Sequence, residues 1–314
     1  MFNLFKKNKI PLSAKGISFS YNQNDILKNL NLTIKQNQIL SIIGRSGEGK
    51  STFLNLIVGV LTKKYHGSIK ILGYDRTLAK QDIGFVPQEI SFIPDLNIKE
   101  NIIFFGQLNG ISEKNALKSA EKLMKALQLK IPLTRFPNEI SGGQKIRLNI
   151  ILSFLHLPKI MVLDEPFVGL DYSNRKMLWN FLKFMKNRKR TIILTTHMLT
   201  EAEMYSDNII LLHKGKILAK GKLENICKKL GINLILEIKF NYLNKTNETQ
   251  IKKYCSERDI TIMDSFNNHY MFSIEREGKR NYLLRFLDSL KIDYKETSFR
   301  SPNLDEITLK VDRS

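Results

Sequence analysis

The sequence predicts an α/β domain, a mostly parallel sheet with helices packed on it, followed by a small α+β domain. Three observations carry this prediction. Apolar strand-like runs alternate with helical periods as far as residue 221, a pattern that builds parallel sheets with helical crossovers. A glycine-rich loop, "GRSGEGKS" (44–51), separates the apolar run Gln38–Ile43 from an amphipathic stretch, Ser51–Val60. From residue 232 the pattern changes to strand-helix-strand-strand-helix-strand, the order of a ferredoxin-like module.

Taken in order, residues 15–34 show two alternating apolar runs around the polar break Asn22–Asp25, a hairpin of half-buried strands. Gln38–Ile43 is a buried strand, and "GSIKILGYD" and "IGFVPQE" are further short strands. Between Ile98 and Leu129 the period turns helical, with Ile102, Phe105, Leu117, Ala120, Leu123, Met124 and Leu127 on one face. Leu148–Leu157 predicts another helix, stopped by Pro158. "KIMVLDE" and "TIILTTH" are strands flanking a helical stretch, and 208–221 reads as a closing hairpin. A basic, helix-like segment (222–231) ending at Gly231 marks the boundary. Beyond it come strands at 233–241 and 260–275, the latter turning at Asn267–Asn268, two helices, and a last strand, "IDYKETSFR".

Composition excludes several classes. No apolar run approaches the roughly 20 residues that span a bilayer; the nearest, Ile146–Leu163, is broken by Arg147, His156, Pro158 and Lys159. The N-terminus has lysines but no signal-peptide apolar region. Cys227 and Cys255 are far apart and form no CxxC, so neither a zinc site nor a disulfide scaffold is expected. The net charge of +20 invites a polyanion partner, nucleic acid or an anionic membrane. The excess is mostly lysine spread along the chain amid abundant Ile and Asn, which makes composition the simpler account.

Three constellations carry chemistry. Gly44, Arg45, Ser46, Gly47, Glu48, Gly49, Lys50 and Ser51 match GxxxxGK[ST] in full, with Thr52 following into the helix. The glycines let backbone N–H groups turn inward around an anion at a helix N-terminus. Lys50 would reach β- and γ-phosphates, and the Ser51 hydroxyl would ligate Mg²⁺. Glu48 beside a polyphosphate has to point outward. Next, "KIMVLDEP" ends a buried strand in Asp164 and Glu165, at the edge where α/β sheets bind ligands. Asp164 suits the Mg²⁺ shell, and Glu165 a general base for an attacking water. Last, Ile140–Gln144, "ISGGQ", is a turn entering a helix: either a plain N-cap by Ser141 or a second anion site. Two phosphate sites seldom serve one γ-phosphate from a single chain, so this one is expected to act in trans.

On these residues the chain resembles the ATP-binding subunits of ABC transporters. It has their phosphate loop "GRSGEGKST", a signature "ISGGQ" in which Leu is the commoner first residue, and the acidic strand end "LDEP". Tyr21 in "SFSY", Gln88 in "VPQE", Asp171 in "GLD" and His197 in "TTH" keep the family's order, and the likeness covers 12–221. It implies a P-loop ATPase domain of mixed sheet core, antiparallel β subdomain and helical subdomain (about 96–157). Residues 1–11 are then an N-terminal extension, 222–231 a linker and 232–314 an accessory domain. It further implies that Tyr21 stacks on adenine, Gln88 touches Mg²⁺ or water, and His197 bonds the γ-phosphate. Asp171 couples the two sites at the subunit junction, and Ser141, Gly142, Gly143 and Gln144 clasp ATP held by the opposite subunit. The remaining histidines, at 66, 156, 213 and 269, have no partner motif and are read as structural or surface. The cofactors are ATP and Mg²⁺. The partners are a second ATPase subunit, the same chain or a paralogue, and separate integral membrane subunits contacted around Gln88–Gly106. No specific nucleic acid is expected, and the place of work is the cytoplasmic face of the membrane.

"DLNIKENIIFFGQLNGIS" (95–112) and "SPNLDEITLKV" (301–311) resemble segments of drug- and polysaccharide-type (ABC-2) exporters, which favours export. The competing readings are an importer ATPase and a soluble ATPase acting on ribosomes or nucleic acid. The latter have two cassettes or a long coiled coil, and this chain has one set of motifs and no such heptad run.

Overall fold

The computed structural model describes residues 10–232 and 234–312. Most of the expected N-terminal extension therefore lies outside the described residues, as does position 233 of the expected first accessory strand. Packing divides the chain into two units, Met1–Leu218 and Ala219–Ser314.

In the first unit, β1 (Leu12–Tyr21) and β2 (Asn24–Ile34) form the expected hairpin, with Asn22 at φ 55° in its turn. β3 (Ile39–Ile43) is buried along its whole length and leads through the glycine loop into α1 (Lys50–Val58). β4 (His66–Ile71) and β5 (Tyr74–Asp75) join β1 and β2 in an antiparallel sheet of order β2-β1-β4-β5. β6 (Ile83–Val86) then enters the main sheet.

The helical stretch begins at α2 (Ile98–Leu108), where Asn97 and Glu100 close a capping box. The buried Asn101 is fully engaged: its Oδ1 accepts the Ile93 N–H and its Nδ2 donates to the Ile93, Leu96 and Asn97 carbonyls. The turn at Asn109–Gly110, with Gly110 at φ 71°, breaks the period before α3 (Glu113–Ala126). α4 runs from Gly142 to Ser153, not Leu148–Leu157 as periodicity predicted. The Ser141 cap starts it six residues earlier, and the chain turns out of the helix at Phe154 before Pro158 is reached.

β7 (Ile160–Leu163), α5 (Tyr172–Asn187), β8 (Thr191–Thr195), α6 (Leu199–Tyr205), β9 (Asn208–His213) and β10 (Lys216–Gly221) complete the main sheet. Among the described residues its order is β10-β9-β3-β8-β7-β6, with parallel pairing of β9, β3, β8, β7 and β6. Alternating side chains feed two cores. Leu40, Ile42, Val162 and Ile193 pack with Phe53, Leu54 and Ile57 of α1 on one face. Ile39, Met161, Leu163, Ile192 and Leu194 pack with Leu148, Ile151, Phe181 and Leu182 of α4 and α5 on the other.

The second unit takes in the segment read as a linker, and it is helical as expected: α7 (Leu223–Leu230) buries Ile226 and Cys227 and ends at Gly231, φ 63°. β11 (Leu234–Phe240), α8 (Lys245–Glu257), β12 (Thr261–Phe266), β13 (His269–Ile274), α9 (Glu277–Ser289) and β14 (Tyr294–Arg300) follow. Their antiparallel order, β12-β13-β11-β14, is ferredoxin-like. A last helix, α10 (Leu304–Asp312), places Lys310 Nζ 3.2 Å from the carbonyls of Leu230 and Gly231 at the end of α7. A cation there complements the negative end of the helix.

Candidate functional site

The glycine loop, β7 and β8 meet because β3, β8 and β7 are neighbours in one parallel sheet, which sends all three chain exits to the same edge. There they open a cleft of about 510 Å³ lined by the loop from Gly44 to Thr52 except Glu48, together with Ile26, Gln88, Glu165, Val168 and His197. Gly47 (φ 83°) and Gly49 (φ 97°) hold left-handed backbone, which a Cβ disfavours. At Gly49 a Cβ would also sit 2.7 Å from Leu27 Cδ2 and 3.1 Å from the Ile26 carbonyl.

Lys50 is buried and turned back over its loop, with Nζ 2.8 Å from the Gly44 carbonyl and 3.0 Å from that of Arg45. Its third neighbour is Glu165 Oε1 at 3.7 Å. The other oxygen of that carboxylate lies 2.9 Å from His197 Nδ1. Loop lysine, acidic strand end and histidine thus form one chain of contacts at the cleft.

Glu165 holds an uncommon backbone conformation for a residue with a side chain, φ 46°; such positions cost about 1–3 kcal/mol and survive only where neighbours enforce them. Thr195 enforces it. Its hydroxyl accepts the Glu165 N–H at 2.8 Å and donates to Asp164 Oδ1 at 2.5 Å. Sequence reasoning passed over Thr195, although its place two residues before His197 in "TTH" was a signal. Asp164 itself is 4% exposed and stands behind the cleft rather than on its lining.

Glu48 points away from the cleft, as expected, yet not into solvent. Its carboxylate accepts the Lys214 N–H and lies 3.2 Å from His213 Nδ1, tying the loop to the β9–β10 turn. His213, read as structural or surface, makes a structural contact here. Tyr21 is also outside the cleft lining: its ring stands edge-on to Phe19 at 4.8 Å, with Lys63 Nζ 5.4 Å from its centroid.

The "ISGGQ" turn forms the N-terminus of α4. Gln144 N–H donates to Ser141 Oγ, and Ser141 N–H donates to Gln144 Oε1 at 2.9 Å, closing a capping box. Asp171 caps α5 in a similar way, accepting the Asn174 N–H at 2.8 Å and its side-chain amide at 2.9 Å. Those bonds, the backbone one foremost, hold its carboxyl below the usual carboxylate range. Asn174 also faces the signature turn, 3.3 Å from where a Gly143 Cβ would stand. Neither Asp171 nor the "SGGQ" residues reach the cleft lining of their own chain.

Comparison with known proteins shows what the chain is similar to. The family profile described as "ABC transporter" matches residues 27–168. The chain is 28% identical over 304 residues to the linearmycin resistance ATP-binding protein LnrL of Bacillus subtilis, covering 96% of this chain and 97% of that protein. It is 31% identical over 218 residues to Nod factor export ATP-binding protein I of Rhizobium sp. (strain N33), 68% of this chain and 71% of that protein. Four further relatives are longer, and the chain spans 34–39% of their length. Among solved structures, the dimeric structure of MJ0796, a bacterial ABC transporter cassette, matches at TM-score 0.61 and 28% identity, over 68% of this chain and 98% of that one.

Proposed function

This chain belongs to the ABC transporter ATP-binding family, and from that premise we propose how its residues divide the work of hydrolysing ATP. The observation that carries the reading is the contact chain Lys50–Glu165–His197 along the glycine-loop cleft. Lys50 holds its ammonium among loop carbonyls, in reach of the position that β- and γ-phosphates take over such a loop. Glu165 serves as general base: its strained backbone aims a carboxylate into the cleft beside the γ-phosphate position. His197 orients that carboxylate and presents its other ring nitrogen to the phosphate. Tyr21 is the adenine contact.

The oxygen donors at the cleft suit Mg²⁺, a hard cation that takes one or two protein ligands and fills its shell with phosphate and water. The Ser51 hydroxyl and Gln88 amide line the cleft, and the buried Asp164 carboxylate stands behind them. Bound there, Mg²⁺ neutralises charge on the phosphates. Ser141, Gly142, Gly143 and Gln144 act on the nucleotide of an opposing subunit, and Asp171 joins the two halves; the dimeric cassette among the structural neighbours supports this arrangement.

Among the described residues no helix is long and apolar enough to cross a membrane. The work is delivered to separate membrane subunits on the cytoplasmic face, through the surface around Gln88–Gly106, where Ile90 and Phe104 are exposed. Export is the direction favoured by the exporter-like segments 95–112 and 301–311 and by the relative named for Nod factor export. The test is to extract membranes in mild detergent and capture this chain. A stoichiometric polytopic membrane protein is the expected companion; ribosomes, nucleic acid or soluble protein alone would overturn the transport coupling and leave the ATPase.

A further inference from the structure

A second concavity in the first unit, about 790 Å³, lies between the C-terminal half of α3, the turn at Leu157 and the outer face of α5. Its floor is apolar: Leu123, Phe181 and Met185 are each 3% exposed or less. Leu157 and Phe184 stand at its lips, 39% and 43% exposed. Lys122, Lys125, Lys176, Arg188 and Arg190 line it, and among the described residues no Asp or Glu does.

That charge pattern needs a physical account. Cations near helix C-termini are favourable, and α3 and α5 both end here. Each terminus offers about half a negative charge, so two offset only about one of the five cations. Arg190 makes the imbalance specific. Its Nε is buried with no hydrogen-bond partner among the described residues, a costly condition for a charged donor. Burial, and then the charge of Arg188, push its guanidinium below its ordinary value. Arg188 is spent over the Phe184 ring, 4.6 Å from its centroid, which neutralises nothing. An anion in the groove answers its all-basic lining, Arg188 and Arg190 included, and the apolar floor asks for hydrocarbon beside it.

The volume falls within the roughly 300–1,000 Å³ of small-molecule sites, which favours a small ligand over a docked helix. We propose that this groove binds a small amphiphilic organic anion, its carboxylate or phosphate head against Arg188 and Arg190 and its apolar body on Leu123, Phe181 and Met185. The assignment does not depend on how the nucleotide cleft works.

The test titrates the purified full chain with decanoate, by calorimetry below the micellar range, with decanol as the uncharged counterpart. Saturable binding of decanoate is expected, about tenfold or more tighter than decanol. Arg190→Gln should weaken it by a similar factor. So should Lys122→Glu with Lys176→Glu, a surface pair that leaves the fold intact if the arginine change does not. Equal binding of decanol, or affinity unchanged in both variants, overturns the proposal. Displacement by ATP would place the anion in the phosphate cleft and also overturns it. An acidic amphipathic peptide that binds where decanoate does not would make the groove a protein-docking surface instead.

Discussion

The phosphate loop and the "SGGQ" turn are both glycine turns that open a helix, and they solve the orphan N–H problem in opposite ways. At α1 the N-cap is Gly49 in left-handed backbone, with no side chain bonded to the helix end. At α4 the cap is Ser141, and with Gln144 it satisfies the terminus from within. The glycines differ too. Gly47 and Gly49 are required by their dihedral angles. Gly142 and Gly143 have no positive φ, and a Cβ on Gly142 would meet nothing within 4 Å. The first turn is shaped to wrap a ligand. The second is finished in itself, carries no in-turned lysine, and keeps bare space on its outer side. This contrast supports the division proposed above, one turn for the chain's own ATP and one for a partner's.

Four experiments test this contrast between the two turns. Glu165→Gln should lower ATP turnover by about 10²–10⁴-fold, the usual scale of general-base catalysis, while equilibrium ATP binding stays near wild type. Turnover like wild type would remove Glu165 from that role. Lys50→Ala should weaken ATP binding by about 10–100-fold, from the loss of about 1.5–3 kcal/mol of charged hydrogen bonding; unchanged affinity in a filter or fluorescence assay would break the first half of the contrast.

Gly142→Ala addresses the second half. Among the described residues nothing opposes the methyl group, and alanine favours a helix by up to about 1 kcal/mol over glycine. The melting temperature should hold or rise, ATP affinity should stay constant, and turnover should fall because the methyl occupies the face meant for the partner's nucleotide. Undiminished turnover would mean that the space serves no partner. The smallest effect belongs to Asp171. Its folded pKa is depressed by the Asn174 bonds, so its cap on α5 is at full strength at neutral pH and is lost as pH falls through the lowered value. Thermal melts of wild type and Asp171→Asn should therefore converge in acid and differ near neutrality; a constant difference would refute the linkage.

Much of this site could be read before any coordinates, because its parts are local. A glycine turn ahead of a helix, a serine three residues before a glutamine, and an acidic pair after four apolar residues each declare their geometry within a few positions. The accessory module was equally open, since strands and helices alternate there with distinct periods and a clear Asn-Asn turn. Where the reading falls short, one cause is local and the other is distance along the chain. α4 was started at Leu148 because its first turn is polar and glycine-rich, so apolar periodicity has nothing to count there. Glu48 was turned outward by charge reasoning alone; its actual partners, His213 and the Lys214 N–H, lie about 165 residues away on the β9–β10 turn.

Dihedral preference, capping and apolar period act over a turn or a strand, so they set which elements form and, the bounds of α4 apart, where the motif residues stand. What those ends do together depends on packing across the whole domain. Sheet order β3-β8-β7 makes neighbours of Lys50, Glu165 and His197, and Thr195 bridges Asp164 to the strained Glu165 from another strand. α3 and α5, far apart in sequence, bring five like charges around one apolar floor. The physical reason is shared: a charge or a hydroxyl has no assigned work until packing gives it a neighbour, and packing is settled by the burial of the whole sheet.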